Sequence, residues 1–192
     1  MQLRYNFPVA VIHAFHLAEE ALYEYALKAL SKRSLTIHEL RKRLYLRASR
    51  KKTVGVVIAR LLNAGYLDDR RLADSYASIR LERDGLGRHR VLMDLRNRGV
   101  DKNLAEKAVD KVYEGVDENE LIIRQLQRKF GDRFSTHPPE NLKKTVRLYR
   151  FLVRAGFSSD KIENALRVFY PGSDLPIDFP EHPFDPEEEV FD

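Results

Sequence analysis

The chain of 192 residues contains no cysteine and no tryptophan. Without cysteine there are no disulfides, thiol nucleophiles, cysteine-ligated zinc sites or iron–sulfur clusters. Nine glycines and eight prolines are too few for a turn-rich β-sandwich. The apolar stretch from Val9 to Ala18 is interrupted by His13 and His16, and it is shorter than the ~20 residues that cross a bilayer. No signal-peptide cleavage site follows it. We therefore expect a soluble, cytoplasmic protein with no membrane segment.

Recognisable catalytic motifs are also missing. No Gly-Lys pair is present to form a phosphate-binding P-loop, and Gly85-Leu86-Gly87 lacks the third glycine of a dinucleotide fingerprint. His13 and His16 could approach one metal from a helix, but at this spacing packing or boundary positions are more common. Asp68-Asp69 is better explained as a helix N-terminus than as a catalytic carboxylate pair. We expect a protein that is not an enzyme and has no cofactor or metal.

Charge is abundant and unevenly distributed. Charged residues make up 33% of the chain, and the net charge is +5. Eight of the 29 acidic residues, and none of the 34 basic ones, lie in residues 171–192, which also contain five of the prolines. The remainder is therefore strongly basic, which is typical of nucleic-acid or polyanion binding but also compatible with ordinary solvated helices.

Helical spacing of apolar residues runs almost to Tyr170. A stripe from Val11 and Phe15 through Leu22 to Ala29 predicts one long amphipathic helix that starts after Pro8. Thr36-Ile37-His38-Glu39 predicts a capping box at the start of the next helix. Pro138 and Pro139 place a loop at 131–139, and the last helices are expected at about 140–155 and 159–170.

An internal repeat organises these helices. When Gly99 is aligned with Gly156, Leu95 matches Leu152 and Tyr113 matches Tyr170 at constant offset. The predicted fold is all-α, an elongated and curved array of three tandem three-helix repeats. The expected boundaries are 1–66 for the N-terminal long helix and first repeat, 67–115 for the second repeat, 116–170 for the third, and 171–192 for an acidic, proline-rich tail.

Two clusters of basic residues are the best candidates for function. The first cluster runs from the second helix of the first repeat through the basic stretch that leads into the next helix. The second cluster lies on the matching helix of the second repeat, and two further arginines lie at the start of that repeat. Lysine and arginine near phosphates release counterions, so such surfaces bind DNA or RNA with steep salt dependence. The alternative is a solvated face balanced by acids, although Glu39 is the only acid near the first cluster. The candidate contacts are Arg41, Lys42, Arg43, Arg47, Arg50, Lys51, Lys52, Arg70, Arg71, Arg88, Arg90, Arg96 and Arg98.

Tyr45 and Tyr66 could stack on bases, but tyrosines at this spacing are more often core or boundary residues.

Residues 20–170 resemble the RecX family of regulators of the RecA recombinase. The resemblance is carried by the order and spacing of Glu39–Leu44, Gly65–Ala73, Gly99–Asp101 and Phe151–Leu166. It implies three tandem three-helix repeats and a cytoplasmic, non-enzymatic regulator of recombination, DNA repair and the SOS response. It also implies a protein that binds the RecA–single-stranded DNA filament in its helical groove and restrains filament extension, ATP hydrolysis and strand exchange. We expect the protein to be a monomer. Single-stranded or duplex DNA would be a direct partner.

Two parts of the chain depart from that resemblance. The first repeat has Ala48–Lys52 where the other repeats carry a glycine-hydrophobic turn, so its helix geometry is expected to differ. The tail has no counterpart in the family pattern. It either folds back on the basic body, with Phe179 and Phe184 as anchors, or serves as a solubilising segment.

Two other functions stay open at the level of sequence. Residues 36–67 have the rhythm of a winged-helix DNA-binding transcriptional regulator, although such a fold needs a β-hairpin wing next, where residues 69–82 have helical spacing. A scaffold that binds an acidic protein without DNA is the third class.

Overall fold

The computed structural model describes residues 17–131 and 142–170, and these residues are helical apart from short connections. They contain no β-strand beyond one isolated bridge. The all-α prediction is therefore confirmed. The helices are α1 (Glu19–Leu30), α2 (Ile37–Tyr45), α3 (Lys51–Asn63), α4 (Asp69–Ile79), α5 (Arg88–Asn97), α6 (Lys102–Tyr113), α7 (Glu118–Phe130), α8 (Leu142–Ala155) and α9 (Ser159–Phe169).

The chain divides into two compact units, residues 1–68 and residues 69–192. In the first, α1, α2 and α3 enclose one apolar core that includes Leu22, Leu40 and Leu61, all fully buried. In the second, α4–α6 enclose a core around Ala73, Leu95 and Val109, and α7–α9 enclose another around Ile122, Leu152 and Leu166. Each core thus belongs to three consecutive helices, as the repeat pattern predicts. The repeat boundaries, and residues 171–192 as a separate tail, stay predictions.

The capping box predicted at Thr36 is present. The Thr36 Oγ1 atom accepts a hydrogen bond from the Glu39 backbone N–H at 3.0 Å, and Glu39 Oε2 accepts one from the Thr36 N–H, also at 3.0 Å. Two N–H groups at the start of α2 are satisfied in this way. Asp101 likewise accepts a hydrogen bond from the Leu104 N–H at 3.1 Å and caps α6.

The start of α1 differs from the sequence prediction of one helix running on from Pro8. α1 begins at Glu19, and Ala18 before it is extended, with ψ near 172°. The cause is a parallel bridge between Leu17 and Ala48, in which the Leu17 N–H donates to the Arg47 carbonyl and the Ser49 N–H donates to the Leu17 carbonyl. Val11 and Phe15, which were expected on the same stripe, lie outside the described residues. The predicted loop at 131–139 also lies outside them, apart from Gly131.

The bridge of Leu17 with Ala48 fixes the chain after the second helix of the first repeat, where each of the other two repeats has a glycine. After α5 and α8, Gly99 and Gly156 have positive φ angles of 79° and 96°. The following residue donates back to the helix, Val100 to the Leu95 carbonyl and Phe157 to the Leu152 carbonyl. These hydrogen bonds define a Schellman ending, which favours glycine because other residues are strained at positive φ. Without such a glycine after α2, the chain is held by Leu17 instead.

The winged-helix alternative requires a β-hairpin where the structure has α4. Residues Asp69–Ile79 form this α-helix, and a π-helical turn, Arg80–Asp84, continues it to Gly85. Residues 36–67 are therefore not followed by the β-hairpin wing that a winged helix needs.

The second unit is joined internally by a very close approach of two backbones. The Gly87 and His89 N–H groups at the start of α5 donate to the Ala155 and Gly156 carbonyls at the end of α8, at 2.8 and 3.2 Å. A Cβ atom built on Gly87 would lie 2.4 Å from the Gly156 carbonyl carbon. Only a residue without a side chain fits there. Because free N–H groups of one helix meet free C=O groups of another, the two termini satisfy each other.

Side chains reinforce this junction. The buried Gln125 of α7 donates through Nε2 to the carbonyls of Asp84 and Gly85, the latter at 2.8 Å. The Tyr113 hydroxyl of α6 donates to the Leu86 carbonyl at 2.6 Å, and burial raises the pKa of Tyr113 well above its ordinary value. The connection between α4 and α5 is therefore fixed by hydrogen bonds from both α6 and α7.

We expect Gly87→Ala to destabilise the second unit, because the added Cβ atom collides with the backbone of Gly156. The backbone angle is not the cause, since the φ of −72° at this position also suits alanine. Overpacking of this kind costs about 1–3 kcal/mol. The matched control is Gly55→Ala in α3, where a Cβ meets nothing within 4 Å. Removing a helix-interior glycine should stabilise that helix by up to about 1 kcal/mol. Urea unfolding followed by circular dichroism measures both, and equal effects would contradict the close approach.

Thr36→Ala should lower the free energy of unfolding of the first unit by about 1 kcal/mol, because the Glu39 N–H loses its acceptor. Thr36→Ser keeps the hydroxyl and should retain most of the stability. Thermal unfolding of the two variants beside the parent chain tests this. A serine variant as unstable as the alanine variant would show that the methyl group, and not the cap, matters.

Candidate nucleic-acid interface

The first basic cluster is positioned by the buried side of α2. Leu40 and Leu44 are fully buried, so at 100° per residue Lys42 and Tyr45 lie on the far side of α2 and Arg41 lies on its flank, and all three are exposed. Arg43 lies beside the buried stripe and is half-buried. α2 therefore presents two cations and an aromatic ring together to solvent.

Most cations of this cluster have no acidic partner in the described part of the chain. Six of them form no ion pair with any described residue, namely Arg41, Lys42, Arg43, Arg50, Lys51 and Lys52. The one nearby acid, Glu39, is occupied by the capping box and lies 3.8 Å from Arg33. The alternative of a face balanced by acids therefore finds no support here.

The start of α3 concentrates this charge further. Arg50 is the N-cap residue and makes no side-chain capping hydrogen bond, and the first turn carries Lys51 and Lys52 with no acid. The N-terminus of a helix already bears a partial positive charge, so cations there raise the energy of the folded chain. A phosphate bound at this end would relieve that repulsion and accept hydrogen bonds from free N–H groups.

Arg47 differs from its neighbours. Its guanidinium carbon lies 4.7 Å from the centre of the Tyr25 ring, a cation–π geometry that orders the side chain against α1. Arg47 is still exposed, and its ring contact distinguishes it from the six cations that form no ion pair with a described residue.

The second basic cluster is largely engaged within the second unit. Arg88 forms an ion pair with Asp110, and Arg90 forms one with Asp94 at 3.0 Å. Arg98 lies over the Tyr76 ring at 5.3 Å, and burial is the main cause that raises the pKa of Tyr76. Of the four arginines, Arg96 alone has no ion pair or ring contact with a described residue. This surface resembles a solvated, paired helical face more than the first cluster does.

Two more predicted arginines, Arg70 and Arg71, are exposed on the first turn of α4. α4 belongs to the second unit, whereas the first cluster belongs to the first. The thirteen candidates thus fall into one poorly compensated group on α2–α3 and two groups on α4 and α5.

Sequence reasoning underrated several exposed apolar side chains in the first unit. Tyr45 and Tyr66 are 47% and 57% exposed, although such tyrosines are more often core or boundary residues. Leu46 and Val56 are also exposed, at 78% and 51%. Val56 could have been found from sequence, because it falls opposite the buried stripe of Val54, Val57 and Leu61 on the helical wheel. Tyr45 and Leu46 adjoin the first cluster in sequence and add stacking and apolar contact area to it.

No group of three or more histidines, aspartates or glutamates within the described residues is arranged to hold a metal. His13 and His16, the one pair considered from sequence, lie outside them. In the same part of the chain, no helix has the length and apolar character needed to cross a membrane.

Comparisons with known proteins give one consistent family. Residues 68–109 match the family model described as RecX, second three-helix domain. The regulatory protein RecX of Halorhodospira halophila is 32% identical over 148 residues, which cover 77% of this chain and 88% of that protein. The one from Mycobacterium sp. (strain KMS) is 28% identical over 156 residues, 80% of this chain and 84% of that one.

A solved structure shares the fold. The crystal structure of RecX from Lactobacillus salivarius superposes with a TM-score of 0.63 at 23% identity, over 79% of this chain and 96% of that chain. The residues matched by the family model include α4, α5 and most of α6, whose core and Schellman ending are described above. The chain belongs to the RecX family of regulatory proteins.

Proposed function

We propose that this chain binds the RecA–single-stranded DNA filament in its helical groove and restrains filament extension, ATP hydrolysis and strand exchange. Family membership supports the regulatory role. The observation that carries the contact surface is the set of cations on α2 and at the start of α3 that lack acidic partners among the described residues. Lys42 and Lys51 exemplify them.

The chemistry of this surface fits a filament that contains DNA. Uncompensated cations next to a helix N-terminus repel one another in the free protein, and phosphates or acidic side chains relieve that repulsion. Around the circumference of α2, Tyr45 lies between Arg41 and Lys42, and its exposed ring offers a face on which an unstacked base can lie. Duplex DNA hides the faces of its bases, so this combination favours single-stranded DNA over duplex.

The paired arginines of α5 play a smaller part in this proposal. Ion pairs such as Arg90–Asp94 must be broken or shared before the guanidinium meets a phosphate, which offsets part of the gain. We therefore assign the main contact to the first cluster, and a supporting contact to Arg96, Arg70 and the other candidates of the second unit.

The test is RecA ATP hydrolysis on single-stranded DNA, with this protein titrated in at physiological salt. We expect the parent chain to inhibit, and Arg41→Glu combined with Lys42→Glu to raise the half-inhibitory concentration by roughly tenfold or more, because phosphate contacts become repulsions. Both side chains are exposed, so the fold should be retained.

The matched control is Lys102→Glu combined with Lys107→Glu, which changes the net charge by the same amount on the exposed side of α6. It should inhibit like the parent chain. Equal loss in both variants would reduce the effect to net charge. No inhibition by the parent chain would reject the filament proposal. A DNA-binding control without RecA separates filament binding from competition for DNA.

A further inference from the structure

A groove in the second unit lies apart from the main contact surface proposed above. It lies between α5 and the corner where α8 turns into α9, with a volume of about 560 Å³. Its lining includes Arg90, Met93, Asn97, Val153, Arg154 and Phe157. The groove exists because Gly87 and Gly156 hold the start of α5 against the end of α8.

The lining combines an apolar floor with cations at the edge. Met93 is 50% exposed, an unusual position for a flexible apolar side chain unless something covers it, while Phe157 below it is buried. Arg90 is paired with Asp94, whereas Arg154 is exposed and forms no ion pair with a described residue. The groove therefore suits an aromatic or aliphatic side chain that is flanked by carboxylates.

Residues 171–192 of this chain have that chemistry. The segment contains no lysine or arginine, and Phe179 stands between Asp178 and Pro180, with Glu181 next. An apolar anchor bracketed by acids complements the apolar floor and Arg154.

The length of the chain permits the contact. α9 starts at the groove with Ser159 and has 11 residues, so it carries the chain about 16 Å away. Phe179 follows Tyr170 by nine residues, which span up to about 30 Å when extended. A segment tethered this closely has an effective concentration in the millimolar range, so even weak contacts suffice.

We propose that the groove between α5 and the α8–α9 corner is a docking site for residues 171–192 of the same chain, with Phe179 as the apolar anchor and Asp178 and Glu181 paired with Arg154. The docked segment covers Met93 and competes there with any acidic, aromatic peptide of a partner.

The methionine content offers a direct probe, because the full chain contains only Met1 and Met93. In the full chain labelled with ¹³C-methyl methionine, docking predicts an upfield shift of the Met93 methyl signal from the Phe179 ring. Phe179→Ser should remove the shift. An unchanged Met93 signal in this variant would overturn the proposal.

Charge exchange tests the ionic part. Arg154→Glu should displace the segment and return the Met93 signal to the position seen in Phe179→Ser, and Asp178→Lys with Glu181→Lys on that background should restore docking. Arg150→Glu, one turn earlier on α8 and absent from the groove lining, is the matched control and should leave the signal unchanged. Failure of the exchange to rescue, or a shift that grows with protein concentration and so indicates a second copy, would contradict docking within one chain.

Discussion

The architecture of the second unit depends on one close backbone contact. Gly87 and Gly156 let the N-terminus of α5 meet the C-terminus of α8, so that N–H groups of one helix donate directly to carbonyls of the other. This contact aligns the positive end of one helix dipole with the negative end of another. It also joins α4–α6 to α7–α9, since Gln125 of α7 and Tyr113 of α6 donate hydrogen bonds to the loop before α5. The groove beside Met93 is a consequence of the same contact.

Electrostatics divides the basic surface into two kinds. On α2 and at the start of α3, cations stand without described acidic partners, because Glu39 is already used in the capping box. On α5, ion pairs and ring contacts hold Arg88, Arg90 and Arg98. Exposed ion pairs contribute at most about 1 kcal/mol each to stability, so the paired surface adds little to the stability of the fold. The unpaired surface is the one whose energy would change most on meeting a polyanion.

Local signals in the sequence predicted much of this structure. The capping box at Thr36, the cap at Asp101 and the glycine endings at Gly99 and Gly156 depend on residues close in sequence. The spacing of Leu40 and Leu44 is likewise a local pattern, and both side chains are buried on one side of α2. Those features require only the periodicity of the helix and the conformational range of glycine.

Several features that sequence reasoning missed depend on partners distant in the chain. The bridge of Leu17 to Ala48 interrupts the predicted long helix, and no local pattern announces it. The contact of Gly87 with Gly156 joins two helices that are distant in sequence, and no local pattern at either glycine indicates its partner. The ion pair of Arg88 with Asp110 likewise joins two helices, so no pattern within α5 predicts that Arg88 is paired.

The proposed function requires that the exposed face of α2 contact the filament. A photo-crosslinking side chain placed at position 42, and separately at position 107 of α6, measures this on RecA–single-stranded DNA filaments at physiological salt. The account predicts crosslinks to RecA or DNA from position 42 and few from position 107. Equal crosslinking from both positions, or crosslinking from position 107 alone, would contradict it.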